Sequence, residues 1–387
     1  MANNRIYYAI QQVSMGPTGS EVELHGLQSV GVTSNFNLEQ VFELGQLAIY
    51  ENIETTPEVE VTLQKVLDGY PLIYTSATEL GCSEAGDWVA AGADLAGRQN
   101  AKTDVYLTIW PDDKLSAGYS NTPAISGSCA ELVCSGMYVN SVSYTFPVDG
   151  NFTEDVTLVG NQKKWRSASV SGKFTDNADA PAATTGVGRR QDLNMANSVF
   201  PDDIPGITTQ VFSGGSCGTP RVCGAYASGG SNDRVTGSEV QSGLSAGHKV
   251  HFSNITVSCD FGGREPIFEL GSLKPYHRYV SFPIEVTSEF EITATQGDCV
   301  EVDDNLGASD TEYCPESETN LKNQKIKIQT CEGTVIDLGH KNKLQSVNYT
   351  GGDTGGGNVT ITYSYSNFND LSVTHSSSSL FDLGSGG

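Results

Sequence analysis

Along "PEVEVTLQKV" (57–66) apolar and polar residues alternate, with Val59, Val61 and Leu63 on one side and Glu58, Glu60 and Thr62 on the other. A period of two predicts a strand with one apolar face and one acidic face. The same pattern returns far down the chain, where Ile284, Val286, Phe290 and Ile292 stand mostly opposite Glu285, Thr287, Glu289 and Glu291. A helical period occurs in "SEAGDWVAAGADLAGRQ" (83–99), where Ser83 is placed to cap and Trp88, Ala91 and Leu95 share a face. Its glycines make it a weak helix alone, so it needs a sheet to pack against. Gly 43, with abundant Thr, Ser, Val and Tyr and only 4 Met, predicts many strands and turns. The expected fold is mainly β.

The two strand patterns belong to a longer repetition. "VFELG" (41–45) returns as "IFELG" (267–271), and Val30-x-Val32-x-x-x-Phe36 matches Ile255-x-Val257-x-x-x-Phe261. The spacing from Gly45 to Pro57 equals that from Gly271 to Pro283. "NSVSYT" (140–145) pairs with "QSVNYT" (345–350), and "VTL" (156–158) with "VTI" (359–361). Collinear anchors with small drifts indicate a duplicated unit. The chain of 387 residues then divides into a first β domain over 1–160, a connector and interface arm over 161–245, and a second β domain over 246–387. The connector is rich in Ser, Gly, Ala and Thr, with one short ordered piece expected around "RRQDLNMANSVFPDDIPGI". "HSSSSLFDLGSGG" reads as a tail that orders against a neighbour.

Charge narrows the function classes. Lys+Arg 22 against Asp+Glu 46 gives a formal charge of -24, which opposes binding that neutralises phosphates or anionic lipid. The start "MANNRIYYAIQQVSM" shows no basic and apolar leader, and no stretch reaches the length of a membrane span, so synthesis in a cytoplasm is expected. Nine cysteines include no CxxC pair, and close neighbours offer possible disulfides: Cys129 with Cys134, Cys217 with Cys223, and Cys299 with Cys314.

Candidate chemistry is sparse. No GxxxxGK[ST] or GxSxG occurs, and the glycine-rich "TGGDTGGGN" (350–358) lacks the lysine and helix of a phosphate cradle, so a hairpin or exposed loop is expected. His248-x-x-His251 stands in a strand-rich context without nearby carboxylates, and the acidic stretch 298–318 does not follow an EF-hand spacing. No catalytic, cofactor or metal site is expected.

The run "LQSVGVTSNFNLEQVFELGQLAIYENIETTPEVEVTLQKVLDGYPLIY", followed by "SVSYTFPVDGNFTEDVTLVGN", resembles tail tube proteins and related virion proteins of tailed bacteriophages. The resemblance covers both repeats and lies in strand texture, since that family has no short diagnostic motif. It implies β-barrel or sandwich units, each flanked by little helix, that join six-fold into rings whose inner strands line a channel. Stacked rings then form the tail tube that conducts genomic DNA, in contact with tail sheath or other tail proteins of the virion. Because this chain carries two units where most members carry one, a homotrimeric ring with pseudo-six-fold symmetry is expected. Its lumen-facing candidates are Glu58, Glu60, Glu285, Glu289 and Glu291. Carboxylates on that wall would repel passing DNA instead of trapping it. A trimeric baseplate hub or tail-completion protein, a capsid decoration or adhesin protein and, more remotely, a carbohydrate-active enzyme stand as alternatives.

Overall fold

The computed structural model describes residues 6, 8–16, 22–54, 56–78, 93–95, 101–110, 126–171, 193–198, 211–212, 251–272, 275–293, 325–330, 334–339, 341–352, 354 and 357–375. It is mainly β, built from antiparallel sheets that do not close into a barrel. The first strands are β1 (Gln11–Met15), β2 (Val22–Glu23), β3 (Leu27–Asn35), β4 (Leu38–Phe42), β5 (Ile49–Glu54) and β6 (Glu58–Val66). The short helix α1 (Ile73–Ala77) follows, then β7 (Ala93–Asp94), β8 (Thr103–Ile109), β9 (Ser126–Pro147), β10 (Thr153–Gly160) and β11 (Gln162–Ser171). Next come β12 (Leu193–Ser198), β13 (Val211–Phe212), β14 (His251–Asp260), β15 (Glu265–Ile267), β16 (His277–Tyr279) and β17 (Glu285–Thr293). The last are β18 (Lys325–Thr330), β19 (Thr334–Asp337), β20 (Lys343–Thr350), β21 (Thr360–Phe368) and β22 (Ser372–His375).

The alternation at 58–66 and 285–293 folds as expected. Val59, Val61 and Leu63 on β6, and Val286, Phe290 and Ile292 on β17, enter one continuous core. Between them Glu58, Glu60, Glu285 and Glu289 stay exposed and Glu291 is half-buried. Both strands belong to a central sheet in the order β3, β6, β10, β9, β14, β17, β21, β20. Two outer sheets cover its apolar face. One runs β2, β1, β8, β9, β11, and the other β13, β12, β18, β19, β22, β7. β9 serves both layers of the first half: residues 126–135 pair with β11 and residues 138–147 with β10 or β14. The change of layer falls at Gly136, whose φ of 67° lies in the left-handed region that a side chain resists.

The duplication is visible in the pairing itself. Placing β3 on β14, β6 on β17, β10 on β21 and β9 on β20 preserves every neighbour in the central sheet. It also preserves two irregularities. The register of β3 against β6 slips between Leu27 and Ser29, and that of β14 against β17 slips between Phe252 and Asn254. β9 slips past β10 at Asn140, and β20 slips past β21 at Gln345. A bulge interrupts the ladder and bends the strand, so two bulges recurring at matched positions mark one structure used twice. The outer sheets follow the same order, with β1, β2, β8 and β11 answered by β12, β13, β18 and β22.

Three expectations change. The registers place Val156 opposite Leu63 and Tyr363 opposite Phe290, so "VTL" is not the counterpart of "VTI"; Val156 corresponds to Tyr363. The helix expected over 83–99 gives way at Ala93–Asp94 to β7, which pairs with β22; Leu95 is helical and buried, and the remainder lies outside the described residues. Within 161–245, β11, β12 and β13 are strands of the outer sheets, and apart from Asn161 the rest lies outside the described residues, as do 376–387.

Helix α1 has only five residues and no side-chain cap of its own. Its first backbone donors are met from a distance in sequence: the buried Glu154 carboxylate accepts from the N–H of Ile73 at 2.7 Å and of Tyr74 at 3.0 Å. The Tyr144 hydroxyl donates to the same carboxylate at 3.1 Å. Burial raises the Glu154 pKa, and these donors oppose the rise.

Candidate assembly interface

Where the two halves meet, β9 pairs with β14, from Asn254 opposite Pro147 to Asp260 opposite Ser141. At this junction the last strand of the first unit bonds to the first strand of the second. The two outer edges of the central sheet are the same two strands in their other copies, β20 and β3. Their residues differ sharply in exposure from their counterparts. Phe261 at the end of β14 is 2% exposed and Phe36 at the end of β3 is 66% exposed. Tyr144 and Val142 on β9 are 0% and 2% exposed, against 61% and 39% for Tyr349 and Val347 on β20. Each free edge thus displays the residues that the internal junction buries, alongside the unpaired backbone donors and acceptors of an edge strand.

A hairpin crosses the internal junction. β15 and β16 of the second half reach back onto the first half through three side chains. The Tyr138 hydroxyl lies 3.1 Å from His277 Nδ1. Arg278, buried, donates from Nη2 to Asn161 Oδ1 at 2.9 Å and from Nη1 to the Arg264 carbonyl at 3.2 Å, with Glu58 at 3.5 Å. Arg264, also buried, donates from Nε to the Val139 carbonyl at 2.5 Å, and its guanidinium lies over the Tyr138 and Phe261 rings. Burial draws the Arg264 pKa down to about 10, so it remains a cation at neutral pH. Neither arginine was singled out in the sequence.

The matching hairpin of the first half, β4 with β5, carries the repeated "VFELG" and lies open. Leu38, Phe42, Leu44 and Leu47 on it are 56%, 63%, 102% and 106% exposed. Beside the free β3 edge lies a cleft of about 580 Å³ lined by Phe36, Val59 and Asn161, with Lys163, Lys164 and Arg166 also on its wall.

The polar face of the central sheet is acidic. Residues directly opposite one another in antiparallel strands share a face. From these pairings Glu58, Glu60, Asp155, Asp260, Glu285, Glu289 and Glu291 stand on one side among serines and threonines. Lys343, opposite Ser366, is at the rim of that side. All five carboxylates singled out in the sequence therefore share one face. Desolvation raises the pKa of half-buried Asp155, while a hydrogen bond from Gln64 opposes the rise.

Cys129 and Cys134 lie on the one continuous strand β9, which holds their Cα atoms about 16 Å apart, beyond the reach of a disulfide. Cys134 and Cys259 are buried free thiols whose pKa values burial pushes up to about 11 and about 12. Cys217, Cys223, Cys299 and Cys314 lie outside the described residues, as do His248 and the acidic stretch 298–318. "TGGDTGGGN" joins β20 to β21 as a hairpin connection. Among the described residues no group of three or more His, Cys, Asp or Glu is placed to hold a metal ion, and no helix is long and apolar enough to cross a membrane.

No family model matches the chain, and no curated protein matches it. Solved structures to which it is similar at low TM-score include a tube-terminating cap, a chain of a sheath-tube complex and a sheath/tube terminator. The tube-terminating cap of the anti-feeding prophage is 13% identical with a TM-score of 0.28, over 43% of this chain and 95% of the cap. A chain of the PVC sheath-tube complex in its extended state is 15% identical with a TM-score of 0.26, over 43% of this chain and 95% of that one. The PVC sheath/tube terminator is 12% identical with a TM-score of 0.25, over 43% and 99%.

Proposed function

We propose that this chain is a structural virion protein of a phage-type tail that assembles into homotrimeric rings with six pseudo-equivalent units. The carrying observation is that the internal junction between β9 and β14 reappears, half-made, at both free edges. β20 of one copy can accept β3 of the next with the pairing that β9 already makes with β14. Such head-to-tail contacts are heterologous and close when the rotation between units divides a full turn. Three copies would then supply twenty-four strands, and at about 4.8 Å spacing with a tilt of about 40° they enclose a ring on the order of 45 Å across between backbones.

In this reading the two tube-type units are the two halves related by the strand equivalence, and the polar face of the central sheet lines the lumen. Glu58, Glu60, Glu285, Glu289 and Glu291 would repel phosphates, so that genomic DNA slides along the wall without a deep binding minimum. Rings stack into a tube, and the outer sheets face surrounding tail proteins such as a sheath. The chain acts without catalysis or cofactor.

The experiment is negative-stain electron microscopy of the purified protein at rising concentration, with averages viewed down the particle axis. Hollow stacked tubes of three-fold rings with six lobes support the tube reading. Isolated trimeric rings that never stack move the chain to a baseplate hub or tail-completion role. Compact particles without a central hole overturn the proposal.

A further inference from the structure

We propose that the two kinds of seam in the ring are told apart by charge, with Glu51 of one copy paired to Lys343 of its neighbour. This inference rests on the ring reading above and adds the contact that makes the seam between copies chemically different from the seam within each copy. Its template is the seat that the β15 and β16 hairpin occupies on the first half: Tyr138 under His277, the Val139 carbonyl under Arg264, and Glu58 with Asn161 under Arg278.

The strand registers translate each of these positions. β9 and β20 share a slip at Asn140 and Gln345, so Tyr138 and Val139 become Lys343 and Leu344. β6 on β17 turns Glu58 into Glu285, and one residue past the end of β10 Asn161 becomes Phe368 on β21. In the hairpins Val41 faces Glu51 as Ile267 faces His277, and Gln40 faces Asn52 as Pro266 faces Arg278. His277 therefore corresponds to Glu51, Arg278 to Asn52 and Arg264 to Leu38.

The chemistry of the second seat is inverted to match its own hairpin. Within the chain, a cationic hairpin residue, Arg278, meets an anion of the seat, Glu58. Between copies, an anionic hairpin residue, Glu51, meets a cation of the seat, Lys343, and both are exposed in the single chain. Leu38 and Phe368, each 56% exposed, come to the same seam and supply apolar contact. Asn52 brings amide donors to Glu285, which already accepts from Gln345. Set wrongly, the first hairpin on the first seat would bring Glu51 to Tyr138, which offers no charge to pair, and would leave Glu58 without its arginine. Opposite charges thus favour the correct register and disfavour a shift by one unit.

The test uses the full chain carrying Lys343→Glu, Glu51→Lys, or both, with sedimentation velocity over a concentration series. Each single reversal is expected to raise the concentration for half-assembly by about tenfold or more, and the double reversal to return it near the wild-type value. Thermal unfolding of each monomeric variant is measured alongside, so that a change in folding is separated from a change in assembly. A second measurement needs no variant: zero-length carbodiimide coupling of assembled wild-type protein should give dimers and trimers on a denaturing gel, with a cross-linked peptide pair holding Glu51 and Lys343. Wild-type protein that assembles while the single reversals assemble equally well, or a double reversal no better than the singles, overturns this contact and leaves the ring standing. Wild-type protein that stays monomeric at every concentration overturns the ring and the contact with it.

Discussion

Phe36 and Phe261 are one position of the duplicated unit in two environments, and replacing each by alanine should have opposite consequences. Phe261 lies 2% exposed with the Arg264 guanidinium 5.1 Å from its ring and the Tyr74 ring 6.4 Å away. Phe261→Ala opens a cavity in the monomer and should lower its unfolding free energy by about 3–5 kcal/mol. Phe36, 66% exposed, has almost no such work in the single chain. If a neighbouring copy buries it as fully as Phe261, about 130 Å² leaves water, worth about 3 kcal/mol, of which alanine forfeits about 2. That is about 30-fold per seam, and with three seams about 10⁴-fold in the overall constant for ring formation. Chemical denaturation at low concentration reads the monomer, and sedimentation velocity or mass photometry across concentrations reads the ring. The expected pair is a Phe36→Ala chain with unchanged denaturation and a strongly weakened ring, beside a Phe261→Ala chain with a destabilised monomer. A Phe36→Ala chain that assembles within twofold of wild type would refute the equivalence of the free edge with the internal junction.

Arg278→Ala removes donors to Asn161 and the Arg264 carbonyl from a buried site and should cost about 2–3 kcal/mol in denaturant, with Arg278→Lys failing to restore it because the fork geometry is lost. Buried His375 donates from Nε2 to the Gly69 carbonyl at 3.0 Å and lies 3.2 Å from the Thr334 hydroxyl through Nδ1. Burial lowers its pKa, so its contribution is complete above about 6.5 and is lost as pH falls through the lower folded value. Denaturation midpoints measured against pH should show that loss, and His375→Gln should reduce the slope. Glu60→Lys with Glu289→Lys reverses two charges on the polar face, and assembled rings of this variant should retain duplex DNA with a steep salt dependence where wild-type rings do not; equal retention by both would place those side chains away from the channel.

The strand alternation and most repeat anchors were legible because a period of two and a conserved order survive in one dimension. The anchor "VTL" misled because Val and Thr recur in any strand, whereas the register that fixes Val156 on Tyr363 is a property of paired strands. "LNMANS" lies inside the short ordered piece expected around "RRQDLNMANSVFPDDIPGI", but it carries too little alternation to announce a strand. Helix α1 owes its start to Glu154, some eighty residues away, so no local capping signal marked it. Arg264 and Arg278 carry no motif that marks them in one dimension, and their contacts arise only when the hairpin that bears them folds across the junction. The five glutamates were legible as one polar face, whereas a channel in the proposed ring would be formed only by several copies and is written in no single chain.

The junction between β9 and β14 also bears on how the chain leaves the ribosome. When β9 and β10 have emerged, the far edge of β9 still waits for β14, which begins at His251, more than a hundred residues after Pro147. During that interval a nascent first half presents a four-stranded sheet with two open margins, β9 and β3, and a partner for either margin is on offer from another polypeptide on the same message. Domain exchange between neighbouring nascent chains is then the competing reaction. The covalent link between halves wins by keeping the correct partner at high effective concentration. In the proposed ring, duplication in one polypeptide would therefore do more than halve the number of subunits: it would make half of the seams intramolecular, and so independent of the protein concentration in the cell.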